Sequence, residues 1–438
     1  MGYAQYKELD SSGVSWLQKK PSHWRIKRLK FSTDLINNKV SVEDSPLPYL
    51  GLEHIESWTG RKIEGEIINS EGLASSFVVG DVLFGKLRPY LAKVHLAQQD
   101  GLISSEALVV RSKDELHAEF LKYYMLSRDF INIVDSSTYG SKMPRASWDF
   151  IGNLPVLLPD VEEQKVIARF LDFKTAQTDA LISKKKVLLD KLAEKRTALI
   201  SHAVTKGLDP SVPMKDSRVD WLGEIPKHWD AWKVTHGFRR IGSGTTPKSD
   251  NPTFYDGTIP WVTTSELRES IIFDTVQKVT EEAVASHSAL KIYPAGSLAI
   301  AMYGATIGRL GMLGINATFN QACCVFSDPE VFDSRFVYYW LWMRRPILIS
   351  LSNGGGQPNL SQDDLKKIWI PIPDLDEQKE IVQYLDKKTF EVDEHAMKVE
   401  EAVTKLLEYR SSLITNAATG KIDVRDIETP QLAGGIAS

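Results

Sequence analysis

Cysteine is almost absent: the 438 residues hold two, Cys323 and Cys324, adjacent and inside an apolar run that begins at Ala322. That placement excludes a disulfide framework and predicts buried strand residues rather than a metal site. The nine histidines are scattered, and no Cys/His cluster has zinc-ligand spacing. No apolar run approaches the ~18 residues that span a bilayer, and Met1-Gly-Tyr-Ala-Gln lacks the charged-then-apolar order of a signal peptide. The expected partners include no membrane, and the expected location is cytoplasmic. Nor is there a surplus of basic residues. With 53 Lys and Arg against 57 Asp and Glu, the net charge is −4, so any binding to phosphate must rest on local concentrations of charge.

Catalytic signatures are missing too. Gly242-Ser-Gly and Gly354-Gly-Gly lack the Lys-Ser/Thr of a phosphate-cradling loop, and no Gly-x-Ser-x-Gly elbow occurs. Asn251-Pro252-Thr253-Phe254-Tyr255 resembles the Asn-Pro-Pro-Phe/Tyr loop of adenine methyltransferases, yet its second proline is absent and no glycine-rich cofactor loop precedes it. It reads as a turn. A chain that is 42% hydrophobic and 25% charged has room for two or more soluble domains, and without a catalytic constellation it is expected to be a binding scaffold with no metal and no cofactor of its own.

What the chain does contain is itself, twice. Adding 214 to the numbers of Pro159, Asp160, Glu163, Gln164, Lys165, Leu171, Asp172, Lys174, Thr175, Asp179, Lys191, Leu192, Glu194, Arg196, Leu199 and Ile200 reaches an identical residue each time. Such agreement at one offset means duplication. Earlier marks, Trp16-Leu17, Pro21 and His23-Trp24, recur at an offset of 205 as Trp221-Leu222, Pro226 and His228-Trp229, so the second copy gained nine residues in between.

The 214-offset stretch has helical period. Leu385, Val392, Val399, Leu406 and Leu413 step by seven, as do Leu171, Thr178, Lys185, Leu192 and Leu199, with Ile182 and Leu189 in the first copy's companion row. Each copy begins at a Pro-Asp pair and ends at Gly207 or Gly420. A helix from Glu162 to Lys206 would measure roughly 65–70 Å and could not bury its stripe alone. Residues 162–206 carry 10 Lys and Arg against 6 Asp and Glu, a net of +4, and residues 376–420 carry 6 against 10, a net of −4. Opposite charge favours the two helices pairing with each other over each lying on its own domain.

Between the repeated marks lie strand-like runs, including Val78-Val79, Asp81 to Phe84, Ala107 to Val110, Ser297 to Ile300 and Gln321 to Phe326, with short helices expected at Glu115 to Leu126 and Ser334 to Met343. The expected fold is mixed α/β: two globular domains joined by two long helices in an antiparallel coiled coil, an internal duplication with pseudo-two-fold symmetry. Its segments are 1–154 (first domain with its opening segment), 155–207 (central helix), 208–368 (linker and second domain), 369–421 (C-terminal helix) and 422–438 (tail). If the helices are antiparallel, the opening segment should sit near the end of the C-terminal helix, closing a circular arrangement.

The doubled order of domain, Pro-rich helix start and helix resembles the specificity subunits of type I restriction-modification systems. Matching motifs are Gly242-Ser-Gly-Thr-Thr246-Pro247 with Ile259-Pro260-Trp261-Val262, Gly80-Asp-Val-Leu-Phe-Gly-Lys86-Leu-Arg88-Pro89-Tyr90, Phe319-Asn320-Gln321-Ala322-Cys323-Cys324, and Gly356-Gln357-Pro358-Asn359-Leu360-Ser361. In the first copy the last of these becomes Gly140-Ser141-Lys142-Met143-Pro144-Arg145. The resemblance implies two target-recognition domains that enter the major groove of double-stranded DNA at the halves of a split, asymmetric site. It also implies docking of two adenine methyltransferase subunits, which carry S-adenosylmethionine and flip the base, and of a restriction and translocase subunit using ATP and Mg.

On that reading the candidate DNA contacts are Lys86, Arg88, Tyr90, Lys142, Arg145, Arg239, Arg240, Tyr303, Arg309, Gln357 and Asn359, the arginines suited to guanine edges and the amides to adenine. A basic run from Lys19 to Lys30 adds phosphate-binding potential. Trp24 and Trp229 read as core anchors. Two other classes compete: a coiled-coil protein scaffold without DNA binding, which predicts no salt-dependent duplex shift, and a transferase, which requires S-adenosylmethionine binding by this chain.

Overall fold

Proline and aspartate set where each long helix begins. Asp160 Oδ1 accepts from the Glu163 N–H at 2.8 Å and Asp374 Oδ1 from the Glu377 N–H at 2.9 Å, capping helices that run Val161–Lys206 and Leu375–Ala418. Each run stops at a glycine in the left-handed region, Gly207 at φ +77° and Gly420 at φ +71°. A side chain there would collide with the opening segment. A Cβ on Gly420 would meet Pro21 Cδ at 2.5 Å and Trp24 Cζ3 at 3.0 Å, and one on Gly207 would meet Trp229 Cζ2 at 3.2 Å.

The structure, a computed structural model, describes residues 3–65, 72–140, 142–350 and 359–428. They form two compact units, one of Met1–Val187 with Val399–Ser438 and the other of Leu188–Lys398. This grouping differs from the linear segments expected from the sequence, because each globular part takes half of each long helix into its own core. In the first unit Ile167, Phe170 and Leu171 share a core with Leu413, Ile414 and Ala417; in the second, Ile200, Ala203 and Val204 share one with Ile381, Val382 and Leu385. Within each unit the two helix halves run antiparallel, since the start of one packs with the end of the other. The chain's first residues lie at the end of the second helix, where the Asp423 N–H donates to the Ala4 carbonyl at 2.8 Å.

The heptad seam is covered along its length. Leu171, Ile182, Leu385, Val392 and Leu413 are buried, while Leu189, Leu192, Leu199, Val399 and Leu406 are half-buried. Thr175, Thr178 and Thr389 are buried as well, and the last two return their hydroxyls to helix carbonyls, Thr178 to Lys174 at 2.8 Å and Thr389 to Leu385 at 2.7 Å. No residue of 183–199 or of 393–409 is fully buried, so packing is thinnest near the helix middles.

In the first unit strands order as Thr33–Ile36, Ala107–Ser112, Val82–Gly85, Val94–Leu96 in one antiparallel sheet, and as Lys39–Ser41, Leu73–Phe77, Gly101–Ser104, Tyr49–Leu50 in a mixed one, whose last pair is parallel. The second unit repeats the plan with Phe238–Ser243, Cys323–Pro329, Leu298–Ala301, Leu310–Leu313 and Ile271–Ile272, beside a three-stranded sheet of Lys278–Val279, Tyr255–Val262 and Thr318–Phe319. The strand after Trp24 or Trp229, Arg25–Arg28 or Asp230–Lys233, pairs antiparallel with the strand before a long helix, Pro155–Leu158 or Trp369–Ile372. Trp24 and Trp229 are fully buried at these junctions.

Some local expectations change and one holds. Val78 and Val79 are no strand; they form an exposed turn whose N–H groups are held by Asp81 and Asp100 at 2.9 Å each. The short helices run Ala118–Leu126 and Ser334–Ser350, the first starting later because Glu115 instead binds Lys27 and Ser32, the second continuing through Pro346. Cys323 and Cys324 are buried strand residues with free thiols, and burial pushes the Cys324 thiol up to about 12.

A buried glutamine ties each helix start to its domain. Gln378 donates from Nε2 to the Pro373 and Val331 carbonyls at 2.9 and 3.0 Å, and accepts at Oε1 from the Asp333 N–H at 2.7 Å. Gln164 makes the same set with Pro159, Glu115 and His117. The glutamate beside each holds the opening segment, Glu163 through Tyr6 and His23 and Glu377 through His228 and Trp229. Gln378→Ala leaves three main-chain groups unpaired, and we expect a loss of about 1–3 kcal/mol in urea unfolding. A loss below about 0.5 kcal/mol would mean that water replaces the amide.

Candidate nucleic-acid interface

In the first unit the strand Val82–Gly85 runs on into Lys86-Leu87-Arg88, and the segment Pro144-Arg145-Ala146 returns to lie against it. The Ala146 N–H donates to the Lys86 carbonyl at 3.0 Å, the Arg88 N–H donates to the Pro144 carbonyl at 2.8 Å, and Leu87 and Arg145 form an antiparallel bridge. This pairing brings Lys86, Arg88 and Arg145 together, with exposed Lys142 in the same returning segment. Arg88 adopts φ +52°, outside the usual range for a non-glycine residue, and Tyr90, 46% exposed, follows in the turn Pro89–Leu91.

Beside this edge is a cavity of about 300 Å³ lined by Lys39, Lys86, Tyr139, Arg145 and Trp148. Burial, with the neighbouring charge of Lys86, holds the Lys39 ammonium below its ordinary range. Two cations held close in a concave surface are relieved by an anion. A phosphate oxygen is one group that carries such a charge. Arg145 is oriented differently: its guanidinium grips Glu106 through Nε at 2.9 Å and Nη2 at 3.2 Å.

The second unit repeats the main-chain pairing. The Leu360 N–H donates to the Met302 carbonyl at 2.8 Å, and Tyr303 and Asn359 form the bridge. Exposed polar groups surround it. Thr246 Oγ1 donates to Gln321 Oε1 at 2.6 Å, the Tyr303 hydroxyl donates to the Gln321 carbonyl at 2.7 Å, and Asn359 faces solvent.

The other candidates are dispersed. Arg239 is paired with Glu330 at 3.0 Å and Arg240 lies on the opposite strand face, its guanidinium 4.1 Å from the Tyr293 ring centre. Arg309 ends the turn after Tyr303, where its charge joins that of Arg345 in opposing the burial that raises the Glu269 carboxyl. Gln357 lies outside the described residues. Of the opening basic run, Arg25 and Lys27 are drawn to Glu115 and Lys20 to backbone carbonyls. Sequence reasoning missed Lys39, Tyr139, Thr246 and Gln321 as site residues. Lys39 and Tyr139 carry no local signal, whereas Thr246 and Gln321 sit inside motifs already noted.

The family model described as "Type I restriction modification DNA specificity domain" matches residues 43–191 and 233–400. Among curated relatives, the EcoDI specificity subunit of Escherichia coli is 30% identical over 37% of this chain and 37% of its own length, and the EcoR124I/EcoR124II specificity subunit is 26% identical over 53% and 55%. The chain thus spans about half or less of those two. The putative MjaX specificity subunit of Methanocaldococcus jannaschii is 25% identical over 92% of this chain and 95% of that one. A chain from a solved type I R-M system shares the fold at a TM-score of 0.67 and 19% identity, covering 91% of this chain and 98% of that one, and the HsdS subunit from Thermoanaerobacter tengcongensis at 0.50 and 19%, covering 92% and 98%. With the family model matching more than half of the residues and both repeats, this chain belongs to the DNA specificity subunits of type I restriction-modification systems.

Proposed function

We propose that this chain reads a bipartite, asymmetric duplex site through its two globular parts and performs no chemistry itself. The observation that carries this reading is the repeated strand edge: one main-chain frame occurs in both units, dressed with Lys86 and Arg145 in the first and with Met302 and Asn359 in the second. A duplicated frame with different polar tips suits two readers of different sequence. The long helices then dock two adenine methyltransferase subunits, which bring S-adenosylmethionine, and a motor-nuclease subunit brings ATP and Mg. This cytoplasmic complex supplies much of the phosphate contact that a chain of net charge −4 lacks. Among the described residues no helix is long and apolar enough to cross a membrane.

The test is duplex binding by the complex of this chain with its methyltransferase partner across a salt series. Affinity for a duplex carrying the methylated site should fall steeply with salt, and Lys86→Ala should reduce the log–log slope by about one. A complex that ignores duplex DNA at all salt concentrations would leave the protein-scaffold reading. Calorimetric binding of S-adenosylmethionine to the isolated chain would instead favour the transferase reading.

A further inference from the structure

Where a residue sits in one unit, the duplication shows what replaces it in the other. The Lys86 N–H donates to the Glu106 carbonyl at 2.9 Å, and the Met302 N–H donates to the Ala322 carbonyl at 2.8 Å. On the opposite side, the Lys86 carbonyl accepts from Ala146 and the Met302 carbonyl from Leu360. These bonds make Glu106 the counterpart of Ala322, and Arg145 the counterpart of Asn359, since each of the latter bridges the residue that follows, Leu87 or Tyr303. Two neighbouring positions therefore differ together. An arginine has a carboxylate beside it, and an asparagine has a methyl group.

Glu106 occupies one edge of the Arg145 guanidinium, Nε and one N–H of Nη2. Left over are the two N–H groups of Nη1 and the second of Nη2, which point forward as a fork, and the side chain is 34% exposed. A fork held from behind by a carboxylate suits two acceptors side by side, the O6 and N7 of guanine in the major groove. Asn359 needs no such brace, because its short amide has few rotamers, and its donor and acceptor match N7 and N6 of adenine. We infer that position 145 in the first unit and position 359 in the second are corresponding base readers, with Arg145, positioned by Glu106, selecting guanine in one half-site and Asn359 selecting adenine in the other. This rests on the DNA-reading function proposed above.

The experiment sorts a library of duplexes, randomised within both half-sites, by binding to the complex of full-length chain and methyltransferase, and sequences what is retained. Wild type should prefer guanine at one base pair of one half by about 5- to 150-fold. Arg145→Ala should flatten that one preference and leave the other half-site as it was, and Glu106→Gln should weaken it in the same place. The double variant Arg145→Asn with Glu106→Ala transplants the second unit's pair and should move the preference from guanine toward adenine. Asn359→Ala, at an exposed position, should flatten one adenine in the other half. If wild type enriches a split site and these variants keep every base preference while binding all sequences less well, Arg145 and Asn359 are structural and the assignment falls alone. A wild-type complex that enriches no sequence overturns the DNA-reading function, and the assignment with it.

Discussion

Replacing residues 234–368 with the corresponding segment of another specificity subunit should redirect methylation to sites that differ in one half and agree in the other. The segment enters and leaves at one place, since Asp230–Lys233 pairs with Trp369–Ile372 and the Val234 N–H donates to the Ile368 carbonyl at 2.8 Å. An exchange made there keeps that ladder, both long helices and the first unit's edge intact. Each mismatched base pair costs about 1–3 kcal/mol, so losing several contacts together lowers occupancy of the original site by three orders of magnitude or more. Methylome sequencing of a host carrying the exchanged chain and its methyltransferase reads the result. Unchanged sites, or sites altered in both halves, would refute the assignment of one half-site to each unit.

Arg410→Ala should destabilise the protein by about 3–5 kcal/mol, and Arg196→Ala, its repeat counterpart, by about 1 kcal/mol or less. Both arginines answer an aspartate on the other helix, Arg410 with Asp179 at 2.9 Å and Arg196 with Asp393 at 3.0 Å, and both pairs join equivalent positions of the two repeats. Their surroundings differ. The side chains of Arg410 and Asp179 are 6% and 10% exposed, and the arginine also donates to the Trp58 and Thr59 carbonyls. Removing it leaves the buried Asp179 carboxylate, among the described residues, with Arg61 at 3.6 Å. Asp393 is 56% exposed, so water takes over when Arg196 is lost, and what disappears is mainly a stacking contact with Trp342, whose ring centre is 4.6 Å away. Urea unfolding of the two variants separates the cases, and equal losses would show that burial does not set the strength of these pairs.

The helices were legible because their signal is periodic and because it occurs twice. Identities such as Asp179 with Asp393 and Arg196 with Arg410 marked the repeat before any contact was known, although nothing in the sequence said that each pair is formed across the two helices. The seam at Leu171, Leu385 and Leu413 followed from heptad spacing alone. The candidate strand edge was legible in part. Lys86 and Arg88 stood out as charge within a motif, and Arg145 as the end of a divergent one, but their meeting depends on a main-chain bridge between segments nearly sixty residues apart. Sequence distance hides such a bridge. Arg239 and Arg240 share no face because adjacent residues on a strand point opposite ways, and Lys39 was invisible because its significance comes from Lys86, at the end of a strand in the other sheet. The compact units cut across those segments for a related reason: each long amphipathic helix gives one half of its length to each of two cores.

The first compact unit is built from residues that lie on both sides of the second in the sequence. During synthesis the ribosome therefore releases everything the second unit requires while the first still waits for the residues beyond Val399, including Val424, which is fully buried, and Arg425, which lies over the Tyr6 ring. The part translated earliest matures last. A stop codon placed shortly after residue 398 would spare the globule made from residues 188–398 and unravel the one whose codons come first.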